Sequence, residues 1–525
     1  MNAHNQQQTL IRSLLDANVY DHPVTDIELI ETHISWVILT GGFAYKIKKP
    51  VNLGFLDFST LEKRQHCCNE ELRLNSRLAA EIYLEVVSIT GSLEQPVLRG
   101  PGEAFEYAVK MVQFPQQAQL DNMLANHELH QHHIDAIARL VAGFHKTIAV
   151  ATDDSGYGDP DHVILPVVEN FRQIRQHRPS TTDDAALGEL EQWSQVTFVS
   201  LKPLLEQRKR DGFIRECHGD MHLRNLVWFH DKPLAFDCLE FNPALRWIDT
   251  LSEVAFLVMD LDDRDQPRLA QRFLNSYLEY CGDYSGVQVL RFYLVYRALV
   301  RAKVDAIRVG QAHISASDQR QADEDYCAYL RLGQSYIRPA RPKLIITRGL
   351  SASGKSTLTQ PLLESIGAIR IRSDVERKRL FGVRPGGHSK AGIDQGIYSV
   401  EAGVLTYDRL KRLAADVLAA GFTVIVDAAF LKYQQRVPFK QLAVETDSTF
   451  VILEFTASVD TLRQRIRARV DDASDADLAV LEHQLTTTQP LSDGELPYRI
   501  EIDTETDFDL DALIEALTQL DVAAR

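Results

Sequence analysis

Lys343-Leu344-Ile345-Ile346-Thr347-Arg348-Gly349-Leu350-Ser351-Ala352-Ser353-Gly354-Lys355-Ser356-Thr357 is the stretch that decides how the second part of this chain folds. A short apolar run reads as a buried strand. Gly349 to Ser356 then fits G-x-x-x-x-G-K-[ST] at every fixed position, and Thr357 to Ser365 reads as a helix. Strand, glycine loop and helix in that order form a phosphate cradle. The backbone N–H groups of Gly349, Ser351, Ser353 and Gly354 curl round phosphate oxygens, with Thr357 at the helix start, where the helix N-terminus adds positive potential. Lys355 reaches the β- and γ-phosphates, and the Ser356 hydroxyl ligates Mg²⁺.

Strand and helix patterns alternate beyond this point. Phe422–Val426 and Phe450–Phe455 read as buried strands, and Tyr407–Ala420 as a helix ended by Gly421. Alternation of this kind predicts an α/β unit with a parallel sheet covered on both faces. The carboxyl ends of its strands should line the ligand crevice. Asp374, in Arg372-Ser373-Asp374-Val375-Glu376-Arg377, falls at the expected end of the second strand. A carboxylate there can accept the proton of an attacking hydroxyl, and the same side chain can cap the following helix. Arg377, three residues on, shares its face of the helical turn and can hold an anionic acceptor. Asp427 ends the apolar run Val424-Ile425-Val426 and suits a Mg²⁺ partner. Arg463, Arg465, Arg467 and Arg469 crowd one helix, whose 3.6-residue turn cannot bring all four to one face.

These features resemble the small P-loop kinases that include polynucleotide kinases, zeta-toxin-type kinases and gluconate kinases. The resemblance implies ATP and Mg²⁺ as ligands, Asp374 as general base, and Arg465 or Arg469 as a lid arginine over the ATP phosphates.

The first part of the chain follows a different plan. Residues 6–17 read as a helix, His33–Leu39 and Phe43–Lys48 as strands, Leu61–Leu78 as a helix, and Tyr107–Phe114 as extended. From Gln131 helices dominate, so strand-rich precedes helix-rich, a two-lobe α+β pattern. His218-Gly219-Asp220-Met221-His222-Leu223-Arg224-Asn225 follows H-x-D-x-x-x-x-N, and Asp237 lies twelve residues beyond Asn225. A hairpin separates them: Leu226–Phe229, a turn at His230–Pro233, then Leu234–Phe236. Acid, amide and acid placed across one hairpin suit phosphoryl transfer. Asp220 would take the acceptor's proton, while Asn225 and Asp237 would hold Mg²⁺ against ATP.

Residues 30–300 resemble the aminoglycoside phosphotransferase and choline kinase-like family. That resemblance implies an ATP-binding lysine at Lys46 with Glu71 as its ion-pair partner; Lys48 and Glu70 are the rival assignments. It also implies a helix motif at Leu140–His145 and a loop-buttressing acid at Asp249. Two departures stand out: the acid after Asp237 comes at Glu240, three residues on, and the phosphate-covering turn is only Thr40-Gly41-Gly42.

Two prolines in Tyr336–Pro342 disfavour both helix and strand ladder and mark a boundary. The expected organisation is a kinase-like domain over 1–335, with a small lobe near 25–115 and a large lobe near 116–335, a linker at 336–342, and a P-loop kinase domain over 343–525. With 525 residues, 45% of them hydrophobic and 25% charged, the chain reads as multidomain and globular. Its net charge of −16 lies mostly in residues 1–336, which argues against broad nucleic-acid binding there. No apolar run approaches the ~20 residues that span a bilayer. The six cysteines are scattered without a C-x-x-C pair, which fits a reducing cytoplasm.

The expectation is therefore a bifunctional cytoplasmic enzyme. It would move the γ-phosphoryl group of ATP to hydroxyl acceptors at two sites, small molecules being favoured. The alternatives are a 5′-hydroxyl polynucleotide kinase in the C-terminal part, and a nucleotide-switched regulator without turnover. Nucleic acid is an expected partner at the second site only, and a membrane at neither.

Overall fold

The structure is a computed structural model that describes residues 3–54, 56–178, 184–310, 315–338, 341–383, 397, 399–468 and 477–523. It divides into two compact units. One comprises Met1–Val163 with Pro203–Leu257, the other Ile164–Lys202 with Val258–Arg525.

After the helix Ala3–Ser13, the first unit builds a sheet of six antiparallel strands: β1 (Glu28–Glu31), β2 (Ser35–Leu39), β3 (Phe43–Lys48), β4 (Tyr83–Gly91), β5 (Pro96–Leu98) and β6 (Glu106–Val112). Their order in the sheet is β1-β2-β3-β6-β4-β5. Period-two alternation along β3 sorts its side chains. Tyr45 and Ile47 join a core with Leu10, Ile11, Trp36 and Ile38, so Ala44, Lys46 and Lys48 share the opposite face. The helix Leu61–Ala79 begins at Thr60, whose hydroxyl accepts from the Lys63 N–H, and carries Glu71.

Short strands follow in the same unit. β7 (Ile214–Glu216) pairs with β10 (Trp247–Asp249), and β8 (Leu226–Phe229) with β9 (Lys232–Ala235), both antiparallel. The β8–β9 hairpin closes through His230 and Asp231, with φ of +49° and +60°. Two positive φ values define the turn whose twist matches the flanking strands. The turn is tighter than the sequence suggests: Lys232 and Pro233 already belong to β9, and Pro233 faces Trp228.

The second unit holds the parallel sheet: β11 (Lys343–Arg348), β12 (Ile369–Arg372), β13 (Val424–Asp427), β14 (Thr449–Thr456) and β15 (Arg499–Asp503), in the order β12-β13-β11-β14-β15. Ile345, Ile425, Val451 and Leu453 pack with Leu362, Leu363, Leu513 and Leu517 from the covering helices. The edge strand β12 is covered by the helix Pro267–Cys281. Asn275 of that helix donates to the Ala368 carbonyl at 2.9 Å and accepts from the Arg370 N–H at 2.8 Å. One side-chain amide thus supplies both bonds that a neighbouring strand would make at this point. Arg291, on the helix Val287–Val309, donates to the carbonyls of Ala420 and Gly421.

Candidate functional site

In the first unit, alternation along β3 aims both lysines at Glu71. Lys46 Nζ and Lys48 Nζ each donate to it at 2.7 Å, one to each carboxylate oxygen. Lys46 also pairs with Asp237, and Lys48 with Glu240. Glu70 faces elsewhere, toward Arg73 and Arg246. The geometry therefore selects Glu71 over Glu70 and brings in both lysines. Lys46 is the one that reaches the site carboxylate, while Lys48 is wholly buried among acids. Burial opposes charge on Lys46, yet Asp237 and Glu71 outweigh it and hold its pKa well above the ordinary lysine value. Burial would raise Glu71, but the two ammonium groups pull it down to about 2. Burial, with Glu71 close by, raises Glu240.

The catalytic-type loop runs from β7 into the hairpin. Gly219 sits at φ +90°, and a Cβ there would come within 2.9 Å of the Leu245 carbonyl, so glycine is required. The Asn225 amide nitrogen donates to the Asp220 backbone oxygen at 2.9 Å and its carboxylate at 3.0 Å. That leaves the amide oxygen of Asn225 as the atom able to face a cation. The Phe236 N–H donates to the Asn225 carbonyl across the open end of the hairpin, which puts Asn225 and Asp237 side by side. Asp237 adopts φ +62°, its N–H donates to the Tyr83 hydroxyl, and its side chain is 46% exposed. Hard oxygens from an amide and a half-exposed carboxylate suit Mg²⁺. His218 is buried and bonded to the Phe236 carbonyl, with burial lowering its pKa. It shapes the loop and is not positioned as a base.

Sequence reasoning missed Glu253. Its side chain is fully buried; one oxygen accepts from the Gly219 N–H at 2.6 Å and the other lies 2.9 Å from His145 Nε2. Burial would raise it, but the His145 bond and charge bring its pKa down to about 2. Asp249, expected to buttress the loop, accepts from Arg208 Nε and Nη2 at 2.6 and 2.8 Å. A signal for Glu253 was present: it is the lone acid within Leu251–Met259, and a charge in an apolar run must have partners. Cys217 lies with His145 and Glu253 in a buried trio whose ligand atoms are within 4.8 Å of one another. The carboxylate oxygens there are already engaged by the ring and the amide.

In the second unit the carboxyl edge of the sheet gathers the expected residues. Gly349 follows β11; a Cβ on it would meet the Phe455 carbonyl at 2.7 Å. Gly354, at φ +86°, caps the helix Lys355–Ile366. Lys355 Nζ lies over its own loop, 2.7 Å from the Leu350 carbonyl and 3.0 Å from that of Gly349. Ser353 is buried, the Ser351 N–H donates to Gln484, and Thr357 is exposed on the first turn. Ser356 Oγ donates to Asp427 Oδ2 at 2.6 Å, so a hydroxyl and a carboxylate, both hard oxygen donors that suit Mg²⁺, meet at one point.

Asp374 opens the helix Ser373–Leu380, directly after β12. Arg377 lies 4.0 Å from Asp374, with Nε 3.5 Å from Thr406 Oγ1. Arg465 reaches the loop itself, donating to Ala352 O at 3.4 Å and to Thr504 O at 2.7 Å. Arg463 instead pairs with Glu482 on the exposed side. Arg469 lies outside the described residues.

These elements define a class: a two-lobe kinase-like α+β fold joined in one chain to an α/β P-loop nucleotide-binding fold. Residues 344–491 match the family model described as AAA domain. The chain belongs to the family of the Mycobacterium tuberculosis protein named Uncharacterized protein Rv2004c, to which it is 32% identical over 460 residues, spanning 87% of this chain and 89% of that one. Among solved structures, a putative kinase from Chloroflexus aurantiacus is 24% identical, covering 35% of this chain and 98% of its own at a TM-score of 0.29. The amicoumacin kinase hAmiN in complex with AMP-PNP, Ca²⁺ and Ami is 10% identical, covering 63% and 94% at a TM-score of 0.40.

Proposed function

We propose that the protein transfers the γ-phosphoryl group of ATP, with Mg²⁺, to hydroxyl acceptors at two separate sites, with small molecules as the favoured acceptors. The two modules are residues 1–335 and 343–525, joined at 336–342. One observation carries the reading. Each unit gathers a phosphate-type lysine, an oxygen donor set that suits Mg²⁺, and a further carboxylate on the loop or helix beside them.

In the first site Lys46 would hold the nucleotide phosphates, supported by Glu71. Asn225 and Asp237 would hold Mg²⁺, and Asp220 would take the hydroxyl proton. In the second, Lys355 and the loop amides would hold the phosphates, with Arg465 as the lid arginine. Ser356 and Asp427 would hold Mg²⁺, Asp374 would act as base, and Arg377 would grip an anionic acceptor. Bound Mg²⁺ supplies charge neutralisation as the phosphoryl group moves; the side chains supply position and the proton sink. No helix among the described residues is long and apolar enough to cross a membrane, and we place the protein in the cytoplasm.

The test incubates the protein with γ-labelled ATP and a metabolite extract, and in parallel with 5′-hydroxyl oligonucleotides. Label on a metabolite is the expected result. Label on the oligonucleotide would instead make the second site a polynucleotide kinase. ATP bound with no product in either pool would leave a nucleotide-sensing regulator.

A further inference from the structure

Arg370 lies in the edge strand β12, four residues before Asp374, and is 8% exposed. Its guanidinium turns onto the P-loop helix. Nη1 donates to the Ser356 carbonyl at 2.9 Å and to Thr359 Oγ1 at 3.2 Å, and Nη2 donates to Gln360 Oε1 at 2.7 Å. Nε has no hydrogen-bond partner. Every acceptor is neutral. Several other buried arginines differ: Arg436 is paired with Glu495, Arg208 with Asp249, Arg64 with Glu106 and Arg246 with Glu216.

A guanidinium does not lose its proton in a protein, so Arg370 is a buried cation without a carboxylate at hydrogen-bond distance. Burial pulls its pKa below the ordinary arginine value, and the opposing charge that counters this most is Asp427, which is itself bonded to Ser356. The cation also sits beside the first turns of a helix whose N-terminal end is already positive. That placement is unfavourable until an anion arrives.

We propose that Arg370 is a second, non-contacting cation of the P-loop phosphate site. Its charge is balanced by the polyphosphate of a bound nucleotide, so that it favours tri- over di- over monophosphate. The inference rests on the reading of Gly349–Ser356 as a nucleotide site. Arg370 is a positioning residue, since it acts on phosphate through the field at the helix start and not by touch. Its bonds to Ser356, Thr359 and Gln360 fix where that charge stands. Other groups facing the guanidinium neighbourhood are Arg372, Glu279 and Tyr284. Arg372 is paired with Glu279 at 3.0 Å and so adds little net charge.

The test titrates the full chain with ATP, ADP and AMP in the presence of Mg²⁺, in a Lys46→Ala background that silences the first site. The readout is the ratio of Kd values, because loss of folded protein lowers the active fraction but leaves the ratio intact. Arg370→Gln is expected to weaken ATP about 3- to 10-fold more than AMP, with ADP between, and Arg370→Lys to restore the native ratio. Arg370→Met repeats the measurement if glutamine leaves the chain unfolded. Equal weakening of all three nucleotides, or none, overturns the proposal and makes Arg370 a structural tie. Failure of the Lys46→Ala chain to bind any nucleotide, or binding that survives Lys355→Ala, would instead reject the P-loop reading itself.

Discussion

Asp220 and Asp237 stand on either side of one hairpin and carry the same charge, yet their partners differ. Asp220 is bonded by the Asn225 amide; Asp237 is paired with Lys46. Asp220→Asn is therefore expected to leave ATP affinity near native and to lower phosphoryl transfer by roughly 10²- to 10⁴-fold, the usual worth of a positioned base. Asp237→Asn is expected to weaken ATP binding in a way that added Mg²⁺ partly restores. Equal loss of ATP affinity in both variants would show that base and metal ligand have been misassigned.

A third aspartate gives a pH test. Burial raises the Asp262 carboxyl to about 6, even though the Tyr336 hydroxyl donates to it at 2.7 Å. The folded pKa thus exceeds the unfolded one. The stabilising contribution is complete below about pH 4, where both states are protonated, and is lost as pH rises through 6. Asp262→Asn, which cannot ionise, should match the native protein near pH 4 and exceed it by about 1–2 kcal/mol at pH 8. Urea melts at the two pH values check this; a variant less stable than native at pH 8 would refute it.

The sequence speaks plainly where a residue's role depends on local spacing. The P-loop, the Asp220–Asn225 loop and the hairpin to Asp237 are all local, and the structure brings each together. Roles that depend on long-range packing were not legible. Lys46 and Lys48 are equivalent by pattern, since both lie on one face of β3. Glu71 bonds both, and only the second partners tell them apart, Asp237 at Lys46 and Glu240 at Lys48. Glu253 reaches a loop 34 residues away in sequence, and no spacing rule points there.

At the scale of elements, β1, β4 and β15 escaped the reading. β1 is short and half-exposed, and β15 is an edge strand of alternating charge, Arg499-Ile500-Glu501-Ile502-Asp503. Neither shows the apolar run that marks a buried strand. The most consequential element is the helix Pro267–Cys281, which the sequence assigns to the first domain and the compact units group with the P-loop sheet. Asn275 completes the edge of β12, and Arg272 pairs with Glu364 on the P-loop helix at 2.8 Å.

Asn275→Ala leaves a buried N–H and a buried carbonyl without partners, so a loss of about 1–3 kcal/mol is expected. β12 leads directly into Asp374, so the acceptor side of the second site should loosen as well. Thermal melts and second-site KM values report the two effects. An unchanged melting temperature would show that water replaces the clamp.

At the scale of the whole molecule, the proposed function places two self-sufficient phosphoryl-transfer sites in one chain. On that proposal each would have its own lysine, metal-type oxygens and base, so neither should need the other's side chains. The most direct measurement is the labelled-product profile from γ-labelled ATP and a metabolite extract, compared among the native chain, Lys355→Ala, Asp220→Asn and the double variant. Two labelled products are expected. One would be lost with Lys355→Ala, the other reduced at least about 10²-fold with Asp220→Asn, and neither would remain at native level in the double variant. A folded Lys355→Ala chain that loses every product would contradict the proposal, as would a single product that requires both residues.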